Sequence, residues 1–523
     1  MLFYVLAGLV AFLFWYKFIR PLEHFTKRGA KQSKPWPLLG DDWPILLGQK
    51  TATNILTGMY NSYPNDRYVG FYPLSQPTLI LRDPELIKQL TVKDFDHFTD
   101  HRKFVDAEHD RLWSANLFAL NGEKWKEMRA TLSPSFTSSK MRHMFGLIND
   151  TAQDFAKYFQ NKKENLIEIE LKDSFSRYTN DVIASSAFGI KVNSLQNPKN
   201  DFYLTGKQLI QFSLLRIMCF AILPMVAKFF RLTFISKSAG EYFESIMHET
   251  IKTREEKKIV RNDMINLLLE NKKGKVSNEA EPTKDTGYST VKEYSDTTKL
   301  KSKYYENLTN DDITSQALVF FLAGFDTIST ALSYGTYELA FNPDIQEKLR
   351  KEIQETHEAN NGKVTYETLV NMKYLDMVFS EILRKWPPIP AMDRTCTKNY
   401  TIQPVNEDEV PVDIKVGEVC TLPIMQLHRD PRYYPNPEKF DPERFSDENK
   451  DRIVPYTYIP FGSGPRNCIA SRFAILEGKA VLYHLLLNFK FITTKRTTTS
   501  FKFEKLSFQN KVVGSIWIGL EKL

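Results

Sequence analysis

Runs of apolar and polar residues divide the chain into segments of different kinds. Residues 1–16 are almost entirely apolar, and a basic cluster follows them: Lys17, Arg20, Lys27, Arg28, Lys31 and Lys34. About 20 apolar residues span a bilayer, and positive flanks stay in the cytosol. The pattern predicts a membrane anchor at residues 1–20 with the remaining chain in the cytosol. A cleaved signal peptide is the alternative, although its basic residues would precede the apolar run.

The next segment, residues 21–40, is basic and ends in the proline-rich stretch PWPLLG. Proline breaks helices and stiffens a chain, so we expect a linker here and a catalytic body over residues 41–523. Between Tyr68 and Leu81, apolar residues interrupted by Gly and Pro predict short strands of a small sheet. Helical patterns dominate afterwards, so the predicted fold class is mainly α with a small β region.

Two further segments differ from ordinary helices. Residues 209–235 are apolar but contain Arg216, Lys228, Arg231 and Pro224, which disfavours a second membrane span. An interfacial segment and ordinary buried helices both remain possible, because periodicity does not separate them. Residues 271–303 are rich in Lys, Glu, Ser and Thr with few large apolar side chains, which predicts a mobile surface loop.

The stretch from Ile313 to Ala340 is a long apolar helix with Asn310 as its capping candidate. Its middle carries the adjacent polar residues Asp326 and Thr327. An unpaired acid in the middle of a membrane span would be costly. We therefore expect a central helix buried in protein.

Composition narrows the class of protein. The chain has 523 residues, of which 42% are hydrophobic and 37 are Phe, enough to bury a flat apolar cofactor. The formal charge of +7 is mild and predicts no nucleic-acid surface. The four cysteines, none in a CxxC or CxxCH spacing, indicate a reducing compartment and no covalent haem attachment.

One cysteine lies in an unusual loop, FGSGPRNCIA, from Phe461 to Ala470. Gly462 and Gly464 allow tight turns whose amides can point at the sulfur of Cys468. Arg466 can reach an anionic group, and Phe461 can shield the thiolate from water. A lone cysteine is usually a small buried apolar residue, but this combination suggests a metal ligand.

This loop resembles the haem-ligand loop of the cytochrome P-450 haem-thiolate monooxygenases. The resemblance implies that Cys468 is the axial ligand of a haem b iron, and that the haem lies between the long central helix and the Cys loop. Ala470 departs from the family pattern, which has Gly there. We expect the extra methyl group to be tolerated.

Further motifs resemble the family in the same order along the chain. Trp125 and Arg129, at i and i+4, resemble its WxxxR motif, which binds a haem propionate. His101 is a third candidate, with a solvated loop histidine as the alternative. Arg394 in MDRTC and Arg466 in the Cys loop complete the predicted propionate contacts.

The central helix carries AGFDT, which resembles the oxygen-activating motif of the family. The resemblance implies that Ala323 and Gly324 leave room for dioxygen, while Asp326 and Thr327 deliver protons to it. The thiolate would assist cleavage of the O–O bond.

A scaffold cluster is also implied. Glu381 and Arg384 form an ExxR pair, and Arg444 in PERF resembles its third member; buried, the three would fix the segment beside the Cys loop. Phe118, Leu322 and Ile389 are candidates for the substrate pocket, with plain core packing as the alternative.

Taken with DDITSQALVFFLAGFDT, LRKWPP and MDRTC, the motifs look most similar to insect microsomal family-nine members of the three-like clan. The resemblance implies a monooxygenase that inserts one oxygen atom from O2 into lipophilic molecules, with xenobiotics such as insecticides or plant toxins as the expected substrates. It also implies the endoplasmic reticulum membrane, with contact to membrane lipid.

The chain contains no dinucleotide or flavin motif, so electrons are expected from NADPH through a separate flavoprotein, NADPH-cytochrome P-450 reductase, with cytochrome b5 as a second donor. Lys126 is a candidate for reductase docking, and a solvated lysine is the alternative. Three other functions stay open: an endogenous lipid or hormone hydroxylase, a haem-thiolate isomerase or dehydratase, and a non-catalytic haem sensor.

Overall fold

The structure is a computed structural model and describes residues 1–103, 110–210, 220, 229–230, 232–261, 263–272, 288, 308–505 and 511–523. Most of the apolar segment 209–235 and of the predicted loop 271–303 lies outside these residues. The longer helices are α1 (Leu2–Phe14), α2 (Ala52–Ser62), α3 (Gly122–Leu132), α4 (Ser138–Gln160), α5 (Leu171–Ala187), α6 (Asp201–Leu209), α7 (Lys237–Lys257), α8 (Met264–Lys272), α9 (Asn310–Phe341), α10 (Pro343–Ala359), α11 (Lys373–Lys385) and α12 (Ser471–Asn488).

The strands are short and form small sheets. They are β1 (Tyr68–Phe71), β2 (Thr78–Leu81), β3 (Leu166–Glu170), β4 (Met392–Thr395), β5 (Tyr400–Ile402), β6 (Val412–Ile414), β7 (Val419–Leu422), β8 (Phe489–Ile492) and β9 (Trp517–Lys522). The largest sheet has the order β1-β2-β7-β4, with β2 and β7 parallel and the other pairs antiparallel. A second sheet has the order β3-β9-β8, and β5 pairs with β6. The predicted mainly α fold with a small β region is confirmed.

Helix α9 is the central element of the helical part. It packs along α5 and also contacts α7, α11 and α12, while α12 packs on α4. Among the described residues, α9 is the helix long and apolar enough to cross a membrane, but 61% of its apolar window is buried inside the protein. The predicted central buried helix is therefore found.

The start of α9 differs from the prediction by one residue. Thr309, and not Asn310, caps the helix: its Oγ1 accepts a hydrogen bond from the Asp312 amide at 3.1 Å, and Asp312 accepts the Thr309 amide in return. This reciprocal capping box satisfies two backbone donors at once. Asn310 was the wrong choice because its side chain instead accepts from Lys272 at 2.7 Å.

The predicted linker 21–40 packs on the largest sheet. Phe25 is 1% exposed within the core that contains β1, β2 and β7. The Gln32 side chain accepts from Tyr72 at 2.6 Å and donates to the Leu22 carbonyl at 2.6 Å. The segment thus contributes to the body of the protein, and its role as a spacer from the membrane stays a prediction.

Candidate haem-thiolate active site

The loop of Cys468 connects the segment after β7 to α12 and needs glycine at two positions. Gly462 and Gly464 have φ values of 79° and 76°, in the left-handed region that favours glycine. A Cβ on Gly464 would overlap the carbonyl oxygen of Thr91. The Cys468 amide donates to the Phe461 carbonyl at 2.9 Å, so the loop folds back on itself before the helix begins.

Cys468 is exposed to solvent, although its own loop and neighbouring elements surround the thiol closely. Burial raises the pKa of the thiol, whereas the Ala470 amide and the Arg129 guanidinium act in the opposite direction. A positive metal ion would favour the thiolate further. Ala470 itself has φ −99° as the N-cap of α12, a conformation open to any residue, so its methyl group causes no backbone strain there.

Two arginines join this loop to α3 and its surroundings: Arg129 lies on α3, and Arg466 belongs to the loop. Arg129 donates to the carbonyl and the side-chain oxygen of Asn467 at 2.8 and 2.7 Å. The Arg466 guanidinium lies 4.2 Å from the centroid of the Trp125 ring and donates to the Thr99 carbonyl at 2.8 Å. The residues of the predicted WxxxR motif therefore lie against the Cys loop.

Arg394 lies on β4, and His101 lies in the neighbouring segment that forms an isolated bridge to β4 between Asp100 and Thr395. Arg394 donates to the Ser463 carbonyl at 2.9 Å, and its buried Nε has no partner among the described residues. His101 is 6% exposed, not a solvated loop residue, and its Nδ1 lies 3.2 Å from Asp393. Burial raises the pKa of Asp393, but His101 and the Arg102 amide more than reverse this and hold it well below its usual range.

The site has an excess of buried positive charge. Burial, followed by repulsion from Arg394, lowers the pKa of Arg466 to about 9, and burial lowers that of Arg394 to about 10. Asp100, at 3.9 Å from Arg466, and Asp393 offset this only in part. Buried cations require anionic partners. The guanidinium excess and the unpaired Arg394 Nε fit the two propionates of a haem, and Cys468 fits its axial thiolate.

The AGFDT segment lies in the middle of α9. Ala323 is exposed, Thr327 is half-buried, and Asp326 is 8% exposed. Thr327 Oγ1 donates to the Ala323 carbonyl at 2.6 Å. A Cβ on Gly324 would lie 2.5 Å from Ile183 of α5, so close helix packing accounts for this glycine. That it also leaves room for dioxygen stays a prediction.

The predicted scaffold residues come together in the core. Arg384 donates to both Glu381 oxygens at 2.6 and 2.8 Å, and both side chains are 0% exposed. Burial lowers the pKa of Arg384, and Glu381 more than reverses this, so that its pKa lies above the usual value. Arg444 Nε lies 3.6 Å from Glu381 and is the weaker partner.

His428 connects this cluster to the Cys loop and was not predicted from the sequence. Its Nε2 accepts from the Ile459 amide at 2.9 Å, and its Nδ1 lies 3.2 Å from the Arg384 carbonyl. This arrangement requires the neutral tautomer that carries the proton on Nδ1. Burial lowers the pKa of His428 to about 3. In the sequence it lies among charged residues, LHRDPR, a setting typical of a surface histidine.

The proposed pocket residues are less closely defined. Phe118 is 41% exposed and stacks on His101 with ring centroids 5.0 Å apart. Leu322 and Ile389 are half-buried, and Phe461 packs against the main core. The role of these side chains in substrate binding stays a prediction, as does reductase docking at Lys126, whose ammonium lies 3.0 Å from Glu123.

The structure contains a long buried helix α9, a glycine-dependent loop around Cys468 and a buried Glu381–Arg384 pair, the features expected of a haem-thiolate protein. Residues 32–514 match the sequence profile of the family described as cytochrome P450. The chain belongs to this family and is a haem-thiolate monooxygenase.

Curated relatives agree with the predicted insect subfamily. The chain is 44% identical to cytochrome P450 9e2 of Blattella germanica, covering 96% of this chain and 94% of the relative. It is 40% identical to probable cytochrome P450 9f2 of Drosophila melanogaster, covering 99% and 98%. It is 39% identical to cytochrome P450 6k1 of Blattella germanica, covering 94% and 91%.

Proposed function

We propose that this monooxygenase inserts one oxygen atom from O2 into lipophilic xenobiotics, using NADPH through a separate flavoprotein reductase. The observation that carries the proposal is a group of three guanidinium groups at the loop of Cys468: Arg394 and Arg466 are buried, and Arg129 is half-buried and hydrogen-bonded to the loop. These cations would hold haem propionates while Cys468 binds the iron. The bound haem would supply dioxygen activation, which no side chain provides.

The protein's own contribution to the reaction would be proton supply and exclusion of water. Thr327 Oγ1 can donate into the site once it turns away from the Ala323 carbonyl that it now contacts at 2.6 Å. Asp326, the preceding residue, is mostly buried and would restore the proton on Thr327. Phe118, Leu322 and Ile389 would surround an apolar substrate.

The electrons for this reaction would come from separate proteins. It contains no dinucleotide or flavin motif, so NADPH-cytochrome P-450 reductase would supply electrons, with cytochrome b5 as a second donor. Basic residues on the Cys-loop side, Lys126 among them, would dock the reductase. Charge reversal at Lys126 should raise the KM for reductase; unchanged turnover would contradict this docking role.

The N-terminal helix supports a membrane location. Helix α1 and the turn that follows run from Leu2 to Ile19, and 18 helical residues extend about 27 Å. Its described apolar side chains from Phe3 to Tyr16 are exposed. We propose an anchor in the endoplasmic reticulum membrane with the catalytic body in the cytosol. A protein located in the soluble fraction of cells would contradict this.

Xenobiotic oxidation is preferred over an endogenous lipid or hormone substrate because of the resemblance to insect family-nine relatives. The test is reconstitution with reductase, NADPH and a panel of insecticides, plant toxins and endogenous lipids. Product that requires NADPH and reductase supports the proposal. An isomerase or dehydratase would act without either, and a haem sensor would form no product.

The Thr327→Ala variant tests the proton step. Because a positioned acid contributes about 100-fold or more to a rate, we expect product formation to fall by about that factor while NADPH consumption continues and hydrogen peroxide appears. The Thr314→Ala variant, altered near the N-terminal end of α9, is the control. Equal product yields from Thr327→Ala and the wild type would exclude this role of the hydroxyl group.

A further inference from the structure

Gln316, in the first half of α9, binds a neighbouring segment of backbone with both ends of its side-chain amide. Its Oε1 accepts a hydrogen bond from the Leu117 amide at 2.9 Å, and its Nε2 donates to the Ala115 carbonyl at 2.8 Å. The Gln316 side chain is 0% exposed. Because a glutamine amide presents an acceptor and a donor in a fixed geometry, it holds this segment in one position against α9.

We call residues 115–121 the strap. Within it, Asn116 is 1% exposed, and its side-chain oxygen accepts the amides of Phe118 and Ala119, each at 2.9 Å. These bonds bend the strap into a turn. The strap is therefore fixed in its own shape as well as in its position on α9.

The other end of the strap is bound by Arg466 of the Cys loop. The Arg466 guanidinium donates to the Leu120 carbonyl at 2.6 Å and to the Phe118 carbonyl at 3.4 Å. The strap thus connects α9 to the loop that carries Cys468. A shift of its backbone at Gln316 would move the residues beside the cofactor site.

Phe118 gives the strap an exposed aromatic side chain at this place. Its ring is 41% exposed, stacks on His101 with centroids 5.0 Å apart and meets the Trp113 ring edge to face at 6.1 Å. Trp113 is in turn 4.2 Å from the Phe234 ring. An exposed ring supported by other rings is suited to stack on an aromatic ligand.

We propose that Gln316 is a positioning residue for ligand specificity: through the strap it holds Phe118 where an aryl group of a ligand stacks on it. The site then binds bulky aromatic ligands more tightly than it would with a loose strap. This inference rests on the proposed function, which makes Phe118 a wall of the substrate pocket. Gln316 acts on the ligand through the backbone from Ala115 to Phe118.

The test measures the binding of two azoles to the purified haem-loaded protein by the shift of its Soret band, without reductase or NADPH. Imidazole is small enough to bind iron without a pocket wall, whereas clotrimazole adds several aryl rings. Because Gln316→Met removes both bonds that position the strap, clotrimazole binding should weaken about tenfold and imidazole binding by less than about twofold. Unchanged clotrimazole affinity, or equal losses for the two azoles, would overturn the proposal.

The matched control is Gln346→Met, which alters another buried glutamine. Gln346, in α10, donates to the Leu339 and Phe491 carbonyls, each at 2.9 Å. Both variants should lower the unfolding midpoint, because each leaves buried backbone groups without partners. Clotrimazole affinity should fall in Gln316→Met and stay at the wild-type value in Gln346→Met. Equal losses of affinity in the two variants would indicate general loosening and overturn the proposal.

A double-mutant cycle tests whether Gln316 acts through Phe118. Phe118→Ala alone should weaken clotrimazole binding, and adding Gln316→Met should weaken it little further, because the ring to be positioned is gone. Multiplicative losses, or wild-type affinity in Phe118→Ala, would overturn the proposal. If Gln316→Met does not fold, Asn116→Ala, which loosens the strap from within, replaces it in both tests with the same expected outcomes. Failure of the proposed function is seen separately, as a wild type that binds clotrimazole but forms no NADPH-dependent product.

Discussion

Glu477, in α12, is a carboxyl group in an apolar setting. It is 0% exposed, and neither carboxylate oxygen has a hydrogen-bond partner among the described residues. Burial raises its pKa well above the usual value. The folded protein therefore favours the neutral acid more than the unfolded chain does. The free-energy cost of this group is smallest below the unfolded pKa and grows as pH rises toward the folded pKa.

We predict that Glu477→Met stabilises the protein, since methionine has similar shape and no polar group to desolvate. The gain in unfolding free energy should be about 2 kcal/mol at pH 7.5, the size typical of an unsatisfied buried polar group, and should shrink toward pH 5 because the ionised form is then less populated in the unfolded chain. Urea denaturation at both pH values measures it, with the exposed Glu358→Met variant as control. A gain that is independent of pH, or a loss at pH 7.5, would contradict this explanation.

Two groups of site residues could be predicted from the sequence because they form short local patterns. They are Cys468 with the glycines of its loop, and the pair Glu381 and Arg384. Sequence reasoning did not find His428, Asp393 or Lys172. Their partners are distant in sequence: His428 pairs with Arg384, Asp393 with His101, and Lys172 with Asp326. Such pairs depend on tertiary packing, which a single chain does not show.

At the scale of elements, α11 and the 3-10 turn Pro442–Phe445 are joined by the Glu381 cluster. Glu381 accepts two hydrogen bonds from Arg384 and one from the Asp441 amide at 2.8 Å. The Arg444 contact is longer, at 3.6 Å. We therefore expect the contact between Glu381 and Arg384 to stabilise the protein more than the contact between Glu381 and Arg444.

We predict that Glu381→Gln costs about 3–5 kcal/mol, because it leaves Arg384 charged and buried without its counter-ion. Arg444→Met should cost about 1 kcal/mol, as expected for a long contact. The measurement is the unfolding midpoint together with the amount of haem retained on purification. Equal losses from the two variants would contradict this ranking.

The apolar and polar patterns predicted the strands between Tyr68 and Leu81 and the central helix, because period and length are local properties. They placed the cap of α9 one residue late, since Thr309 and Asn310 are both good capping residues and the choice depends on the reciprocal bond with Asp312. The sheet order β1-β2-β7-β4 joins strands more than 300 residues apart and carries no local signal.

At the scale of the whole molecule, the linker is fastened to the largest sheet. Arg28 and His24 each lie 2.9 Å from the carboxylate of Glu418, the residue just before β7. The Glu418 side chain is 15% exposed. Arg28 also donates to the Asp413 carbonyl of β6 at 2.6 Å. These contacts fix the direction in which the chain leaves the body toward α1.

We predict that Glu418→Arg loosens this fastening, because it removes the carboxylate that binds Arg28 and His24 and places two guanidinium groups together. Chymotrypsin should then cleave after Phe25 several-fold faster, while the double variant Arg28→Glu, Glu418→Arg should return cleavage toward the wild-type rate. The measurement is the rate of chymotrypsin cleavage after Phe25 in the purified proteins, followed by mass spectrometry. Unchanged cleavage in Glu418→Arg would show that core packing alone holds the linker.

The central claim is that Cys468 binds the iron of a haem in the site built by Arg129, Arg394 and Arg466. The most direct measurement is the absorption spectrum of the reduced, carbon-monoxide-bound protein, compared for wild type, Cys468→Ser and the control Cys396→Ser, whose buried thiol lies outside the loop. We predict a strongly red-shifted Soret band in the wild type and the control, and its loss in Cys468→Ser. The same band in Cys468→Ser, or no haem in the wild type, would contradict the claim.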